Sequence, residues 1–138
     1  VLDDVVIGDY AKFHIEERKG DLFGGYAVVV DTFVSDRVLQ KITEFNEKTR
    51  MNATAKKPFK PIEVSDDGLE LIEYLSLDCS NTQGEWHSDS EIKIDKNGYV
   101  IRNGEKTKEF WDGTIYGEKK PLRLKIRNIC GDETEWGI

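Results

Sequence analysis

The strongest pattern in the chain is a one-for-one alternation of apolar and charged residues in its C-terminal half. Residues 91–95 (EIKID) alternate in this way, which predicts a half-buried β-strand because successive side chains point to opposite faces. Asn97-Gly98 and Asn103-Gly104 follow as turn signals, since both residue types tolerate the positive φ angles of a type I′ turn. We therefore predict a three-strand meander whose last strand covers residues 105–110.

A second alternating run, LRLKIR at residues 122–127, separates three apolar side chains from three cations. If this run is a strand, the two sets must lie on opposite faces. The side chains expected in the core are Leu122, Leu124 and Ile126, and those expected on the other face are Arg123, Lys125 and Arg127. We expect three cations of the neighbouring meander to widen the same basic patch: Arg102, Lys106 and Lys108.

The N-terminal half predicts a hairpin followed by one helix. Residues 4–17 indicate a strand, or a strand pair broken at Gly8-Asp9, and the segment Tyr26–Val34 is almost entirely β-branched or aromatic, as in a buried strand. Ser35-Asp36 then supplies an N-cap for a helix over residues 37–48. Its apolar stripe is expected to pack on the core and to cover one face of the sheet: Val38, Leu39, Ile42 and Phe45.

Two segments between this helix and the meander are less regular. Residues 49–61 (TRMNATAKKPFKP) have no apolar periodicity, which predicts an exposed basic loop that either binds a partner or only connects ordered segments. The candidate contacts in this loop are Lys56, Lys57 and Lys60. Asp66-Asp67 indicates a short helix over residues 68–74 and then a strand over residues 74–79, with one long strand as the alternative.

Together these elements predict an α+β fold, with a mostly antiparallel or mixed sheet, one main amphipathic helix and a C-terminal β-meander. We expect the 138 residues to form a single domain. No apolar run approaches the roughly 20 residues that span a bilayer, so no membrane contact is expected. No signal peptide is visible, which favours a cytoplasmic location with reduced thiols at Cys79 and Cys130, although one disulfide between them is arithmetically possible.

The net charge of −7 conceals a block pattern. Residues 61–92 contain nine acids and no lysine or arginine, whereas residues 48–60 contain five bases and no acid, and residues 93–127 contain ten bases and five acids. Basic blocks inside an acidic protein permit local contact with nucleic acid, and a solvated surface of mixed charge is the alternative. The overall acidity argues against strong, sequence-independent DNA binding by this chain alone.

Motifs for catalysis are largely missing. The sequence has no glycine-rich phosphate loop after a strand and no clear Ser-His-Asp arrangement. One cluster offers metal-ligand side chains, although its spacing matches neither a zinc nor a calcium pattern: Asp78, Cys79, His87 and Asp89. A nuclease interpretation would combine Asp78 with Glu91 and Lys93, an acid-x-Lys pair of a kind that is common in charged strands.

Two tryptophans lie beside turn residues. Trp86 follows Gly84 in a polar stretch, and Trp111 precedes Asp112-Gly113. Such residues either pack at the rim of a core or present an indole ring to a base or to a partner protein. Both are therefore candidate contacts.

Four stretches carry a pattern that is shared with one protein family: YLSLDC (74–79), WHSDSEIKIDKNGYVI (86–101), KTKEFWDG (106–113) and KPLRLKIRNICGDET (120–134). They resemble the C-terminal region of bacterial site-specific adenine DNA methyltransferases, the modification subunits of type III-like restriction–modification systems. The resemblance covers about the last half of the chain. It implies a parent enzyme that transfers a methyl group from S-adenosylmethionine to the exocyclic amine of adenine, after taking the base out of the helix.

The family's catalytic and cofactor motifs, an Asp-Pro-Pro-Tyr type tetrad and a Phe-x-Gly-x-Gly turn, are absent, because Pro58, Pro61 and Pro121 lie in other contexts. We therefore expect no catalytic, cofactor-binding or metal-binding residue in this chain. The resemblance implies a non-catalytic accessory C-terminal domain over residues 1–138, a fragment of a longer methyltransferase, in keeping with its start at Val1 instead of methionine.

The partners that the resemblance implies are DNA, reached through the parent enzyme, a restriction subunit, or a second copy of the chain. The alternatives are a protein-interaction domain without a DNA role and a small nuclease or metal-dependent enzyme. The candidate contacts for DNA or for a protein partner are Arg102, Lys106, Lys108, Arg123, Lys125, Arg127, Lys56, Lys57, Lys60, Trp86 and Trp111.

Overall fold

A computed structural model describes residues 9–17, 25–56, 58 and 61–138. Within these ranges one α-helix and nine strands form two antiparallel sheets, which confirms the predicted α+β class. The strands are β1 (Tyr10–Glu17), β2 (Tyr26–Val34), β3 (Ile72–Asp78), β4 (Ser90–Ile94), β5 (Tyr99–Arg102), β6 (Glu105–Phe110), β7 (Thr114–Gly117), β8 (Arg123–Asn128) and β9 (Glu133–Gly137). The expected strand before Asp9, and the candidate contacts Lys57 and Lys60, lie outside the described residues.

The nine strands divide into a small and a large sheet. The three-stranded sheet has the order β1-β2-β7, and the six-stranded sheet has the order β6-β5-β4-β3-β8-β9. The β1–β2 hairpin and the β4-β5-β6 meander are both antiparallel, as predicted. The strand order could not be predicted, because β3 pairs with both β4 and β8 and so places the meander on the far side from β8.

One apolar core is shared by the two sheets. In the six-stranded sheet, Leu75 lies opposite both Ile92 and Ile126, and all three are at most 1% exposed. Val28 of β2 and Ile115 of β7 join the same cluster from the three-stranded sheet. Because full burial of an aliphatic side chain stabilises a fold by roughly 1.5–3 kcal/mol, this cluster is the main source of stability.

The two Asn-Gly turns of the meander differ from each other. Asn103 and Gly104 have φ angles of 49° and 87°, which is the type I′ geometry expected. At the other turn only Gly98 has a positive φ, of 87°, and the Asp95 carboxylate accepts hydrogen bonds from the backbone N–H groups of Asn97 and Tyr99 at 2.8 and 2.9 Å. The type I′ prediction is therefore correct only at the second turn, because the Asp95 side chain organises the first.

Helix α1 (Asp36–Met51) begins at its predicted cap and ends later than predicted. Ser35 Oγ accepts a hydrogen bond from the Val38 N–H at 3.3 Å. Residues 49–51 of the predicted loop are helical, whereas its described residues 52–56, 58 and 61 are not. Val38 is fully buried and Leu39 and Ile42 are half-buried, but Phe45 is 53% exposed. Assigning the whole stripe to the core, with the helix covering a sheet face, was therefore wrong, because only the first half of the helix meets the core.

The predicted helix over residues 68–74 is also wrong. Only a 3₁₀ turn forms, at Leu69–Leu71, and β3 begins at Ile72. Gly68 has a left-handed φ of 68° and lies against the backbone of Phe33, whose N–H donates to the Asp67 carbonyl oxygen at 2.8 Å. A left-handed residue interrupts helical geometry, and strand pairing with β8 takes over directly after the turn.

No helix within the described ranges combines the length and the apolar character needed to cross a membrane.

Candidate functional site

The six-stranded sheet has one face toward the shared core and one face away from it, and we call the second the outer face. Strand register places the following side chains on the outer face: Tyr74, Ser76, Asp78, Glu91, Lys93, Ile101, Lys106, Arg123, Lys125, Arg127, Glu133 and Glu135. They alternate along each strand with core residues such as Leu75 and Leu124. The opposite placement of apolar and cationic residues is confirmed within β8, because Leu124 and Ile126 are both 0% exposed. Leu122, the third residue expected in the core, precedes β8 and is only half-buried.

A buried ion pair lies at one end of the outer face. The Arg123 guanidinium is 2.7 Å from the Asp78 carboxylate, and the two side chains are 8% and 0% exposed. The same carboxylate accepts hydrogen bonds from the backbone N–H groups of Ser80, Asn81 and His87 at 2.8, 2.8 and 2.9 Å. Burial raises the pKa of Asp78. The three hydrogen bonds and Arg123 lower it by more than burial raises it, so the pKa lies well below its usual range.

Arg123 also fixes the loop that follows β3. It donates hydrogen bonds to three backbone carbonyl oxygens of that loop, those of Asn81, Gly84 and Glu85, at 2.9, 3.2 and 3.1 Å. Residues 79–89 are thereby held across the β3–β8 part of the outer face. The sequence could not reveal this connection, since Asp78 and Arg123 are 45 positions apart.

Trp86 rests on the outer face as part of this loop. Its indole N–H donates to Ser76 Oγ at 3.0 Å, and Ser76 is 0% exposed. The Lys125 ammonium and the Arg123 guanidinium lie 4.4 and 4.8 Å from the ring centroid, which are cation–π distances. Trp86 is half-buried, so part of the ring still meets solvent.

The other two β8 cations are also paired. Lys125 Nζ lies 3.7 Å from carboxylate oxygens of both Glu133 and Glu135 on β9. Arg127 Nε lies 3.0 Å from Glu73, and its guanidinium is 4.7 Å from the Tyr74 ring centroid. Each cation of β8 is thus balanced by a carboxylate of a neighbouring strand. The one-for-one alternation of Glu133 and Glu135 with Thr134 and Trp136 was the sequence signal for this edge strand, and our prediction missed it.

Tyr74 connects the paired cations to the meander. Its hydroxyl donates to the Glu91 carboxylate at 2.9 Å, and burial together with this bond raises the pKa of Tyr74. The signal that could have identified it is the alternation of Tyr74, Ser76 and Asp78 with buried leucines along β3. Sequence reasoning assigned no role to Tyr74 or Ser76.

The meander cations do not extend the patch on β8. Arg102 lies opposite the buried Ile92 on the core side of the sheet, where it donates to the Thr114 carbonyl oxygen at 3.2 Å. Lys106 lies opposite Ile101 on the outer face, but β5, β4 and β3 separate its strand from β8. Lys108 is exposed on the same edge strand. The expectation of one widened patch was wrong, because it assumed that the meander is adjacent to β8.

The remaining candidates lie elsewhere. Lys56 is exposed after the helix. Trp111 is half-buried against the core, and its indole N–H donates to the Thr114 carbonyl oxygen at 3.0 Å. The structure therefore brings Trp86, Arg123, Lys125 and Arg127 together and leaves the other described candidates apart.

Among the residues that the structure describes, Ser80, His87, Asp89 and Cys79 have catalytic potential but are not arranged for nucleophilic catalysis. Ser80 Oγ and the Asp89 carboxylate approach the same ring nitrogen, Nδ1 of His87, at 3.5 and 3.1 Å. A Ser-His-Asp relay requires the serine and the carboxylate to use different ring nitrogens. The Cys79 thiol is also unsuited to nucleophilic attack at neutral pH, since burial and the nearby Asp89 and Asp78 raise its pKa to about 11.

Metal-ligand side chains do not converge in the described part of the chain, where no group of three or more His, Cys, Asp or Glu side chains is placed to hold a metal ion. In the proposed metal and nuclease clusters, Asp78 is already bonded to Arg123 and to three N–H groups. Cys79 and Cys130 are both free thiols.

No family model, no curated protein and no solved structure matches the chain.

Proposed function

We propose that this chain is a non-catalytic domain that binds a protein partner through the outer face, around Trp86 and Lys125. The observation that supports this proposal is the pairing of every β8 cation with a carboxylate. Binding of DNA phosphates gains free energy when a cation releases the counterions of the phosphate. A cation that must first break an ion pair with a carboxylate gains little free energy in this way. The β8 cations are therefore poorly suited to binding DNA.

The same arrangement suits a protein interface. Tryptophan, tyrosine and arginine are the residue types that most often dominate the binding energy of such interfaces. Here Trp86 is held by its hydrogen bond to Ser76 and by two cations, so little conformational entropy is lost when a partner covers the ring. The charges beside it are already balanced, which lowers the cost of excluding water.

The resemblance described above supplies the setting of the proposal. We infer that the parent is an adenine-specific DNA methyltransferase of a restriction–modification system in the bacterial cytoplasm. The parent would bind S-adenosylmethionine and carry out catalysis outside this chain. The partner of the outer face would then be the restriction subunit of the same system.

The test measures complex formation between the parent methyltransferase and its restriction subunit. Light scattering coupled to size-exclusion chromatography detects the complex. Lys125→Glu places a like charge beside Glu133 and Glu135, and we expect it to weaken the complex at least about tenfold. Lys41→Glu, the same charge change on the exposed helix, is the matched control and should leave the complex intact.

Trp86→Phe removes the indole N–H but keeps a ring, so it separates loss of binding from loss of folding. We expect a several-fold weaker complex with an unchanged far-ultraviolet circular dichroism spectrum. A complex of wild-type affinity in both outer-face variants would exclude this surface as the docking site. If the chain forms a homodimer that only these two variants dissociate, the partner of the outer face is a second copy of the chain and not the restriction subunit.

DNA contact is a second candidate, and a different set of residues favours it. Lys93, Lys106 and Lys108 are exposed, and within the described residues none of them forms an ion pair. Changing all three to glutamine in the parent enzyme should make the slope of log affinity against log salt shallower by up to about 3 units if they contact phosphates. An unchanged slope would remove this candidate.

A further inference from the structure

An apolar groove lies away from Trp86, at the end of the six-stranded sheet where β3 begins and β6 ends. Its volume is about 780 Å³, within the roughly 300–1,000 Å³ that is usual for binding pockets. Its apolar lining consists of Leu69, Ile72, Ile94, Phe110, Trp111 and Ile129. Ile129 is 49% and Phe110 is 72% exposed, so large apolar side chains border the groove and face water.

The rim of the groove is acidic. Four carboxylates line it, those of Asp67, Glu70, Glu73 and Asp95, against the single cation Lys96. Glu73 is partly balanced by Arg127, which leaves three carboxylates without an ion-pair partner among the described residues. Hydrogen bonds from Ser65 lower the pKa of Asp67 and, against the opposing effect of burial, that of Glu70, so both are ionised at neutral pH.

These two properties define the chemistry of an occupant. The exposed apolar side chains favour an aliphatic or aromatic group, because covering them removes apolar surface from water. The carboxylates favour cations on either side of that group and disfavour acidic segments. A net charge of −7 on the whole chain adds a long-range attraction for the same kind of ligand.

We propose that this groove binds a short basic segment of a partner protein, with one large apolar side chain between Trp111 and Ile129 and flanking lysines or arginines beside Glu70 and Asp95. The surface is distinct from the surroundings of Trp86, so the inference does not depend on the function proposed above. It also gives Trp111 a role in binding, through one side of the groove.

The direct test is fluorescence polarisation with three labelled peptides at low and at physiological salt. The first has a leucine flanked by lysine pairs, the second replaces the leucine with serine, and the third replaces the lysines with glutamates. We expect the first to bind at least about tenfold more tightly than either of the others, with an affinity that falls as salt rises. Equal binding of the first two peptides would reduce the effect to charge attraction and overturn the proposal, as would binding of the third.

Two protein variants locate the binding site. Ile129→Ser removes an apolar side chain from the groove, and Glu70→Gln removes one rim charge but keeps a carbonyl oxygen for Ser65. We expect Ile129→Ser to weaken binding of the first peptide by about tenfold and Glu70→Gln to weaken it by about threefold. Phe45→Ser and Glu44→Gln make the same kinds of change on the exposed face of α1 and should have no effect. Peptide affinity that is insensitive to Ile129→Ser, or self-association of the chain that the peptide cannot displace, would overturn the assignment.

Discussion

At the residue scale, the pair of Asp78 and Arg123 organises the outer face. The carboxylate is fully buried, is bonded to three N–H groups and is 2.7 Å from a guanidinium that itself reaches three carbonyl oxygens. This network orients the loop that carries Trp86. Removing one member of a buried ion pair leaves the other charge without compensation, which typically costs about 3–5 kcal/mol.

We therefore expect Asp78→Asn to lower the free energy of unfolding by about 3 kcal/mol at pH 7, as measured by urea denaturation. Asp66→Asn, on an exposed turn, is the matched control and should change it by less than about 0.5 kcal/mol. A loss below about 1 kcal/mol in Asp78→Asn would contradict the assigned role.

The pH dependence of this pair has a definite sign. The folded pKa of Asp78 lies below the unfolded value of about 3.9, so its contribution is present above that pH and is lost as the pH falls toward the folded pKa. Asp78→Asn should accordingly show a flatter decline in stability than the wild type below about pH 4. Parallel declines in acid titrations followed by circular dichroism would argue against a lowered pKa.

The stability contribution of His14 depends on pH in the opposite direction to that of Asp78, because the pKa of His14 is raised. Its Nδ1 lies 2.8 Å from the Asp31 carboxylate and its Nε2 3.3 Å from Glu16, and the bond to Asp31 is the larger cause of its raised pKa. The contribution of this group to stability is present below the unfolded pKa of about 6.5 and is lost as the pH rises through the folded pKa. We expect Asp31→Asn to lower the pKa of His14 in an NMR titration, whereas Asp36→Asn should leave it unchanged.

At the element scale, the close contact between Gly68 and β2 sets the entry into β3. A Cβ atom at Gly68 would overlap the Phe33 carbonyl oxygen, and the φ angle of 68° is unfavourable for other residues. Gly104→Ala shares the positive φ but meets no atom within 4 Å, so it isolates the backbone strain of about 1–2 kcal/mol. Gly68→Ala should lower the thermal unfolding midpoint clearly more than Gly104→Ala, and equal shifts would contradict the tight packing at this turn.

The secondary-structure elements also show which features of the fold the sequence could predict. Local patterns predicted β2, the capping of α1 by Ser35, the meander and the two faces of β8, because alternation and capping depend on neighbouring residues. Strand order depends on pairing between distant segments, so the position of β3 between β4 and β8 was not predictable. The partners of Arg123, Lys125 and Arg127 follow from that order. Alternation marks the carboxylates of β3 and β9 as strand residues, but it cannot show that these strands pair with β8 and balance the apparent basic patch.

At the scale of the whole molecule, some surfaces pair cations with carboxylates, whereas others carry an excess of one charge. The β8 side of the outer face is compensated, the groove at the end of the sheet is acidic, and the exposed lysines of the described chain lie mainly on the meander and the helix. A protein of net charge −7 with this distribution is better suited to basic or compensated protein surfaces than to a phosphate backbone. We therefore expect the β8 cations to serve the fold and a protein partner, and not to contact DNA phosphates.

We would measure the salt dependence of duplex DNA binding by fluorescence anisotropy, for the proposed parent methyltransferase and for its Lys125→Gln, Arg127→Gln double variant. Arg123 is left unchanged, since its loss would unfold the loop. We expect the same slope of log affinity against log salt in both proteins, because these cations remain paired with Glu133, Glu135 and Glu73. A slope shallower by about 2 units in the variant would show that both cations contact phosphates, and would contradict a role limited to the fold and a protein partner.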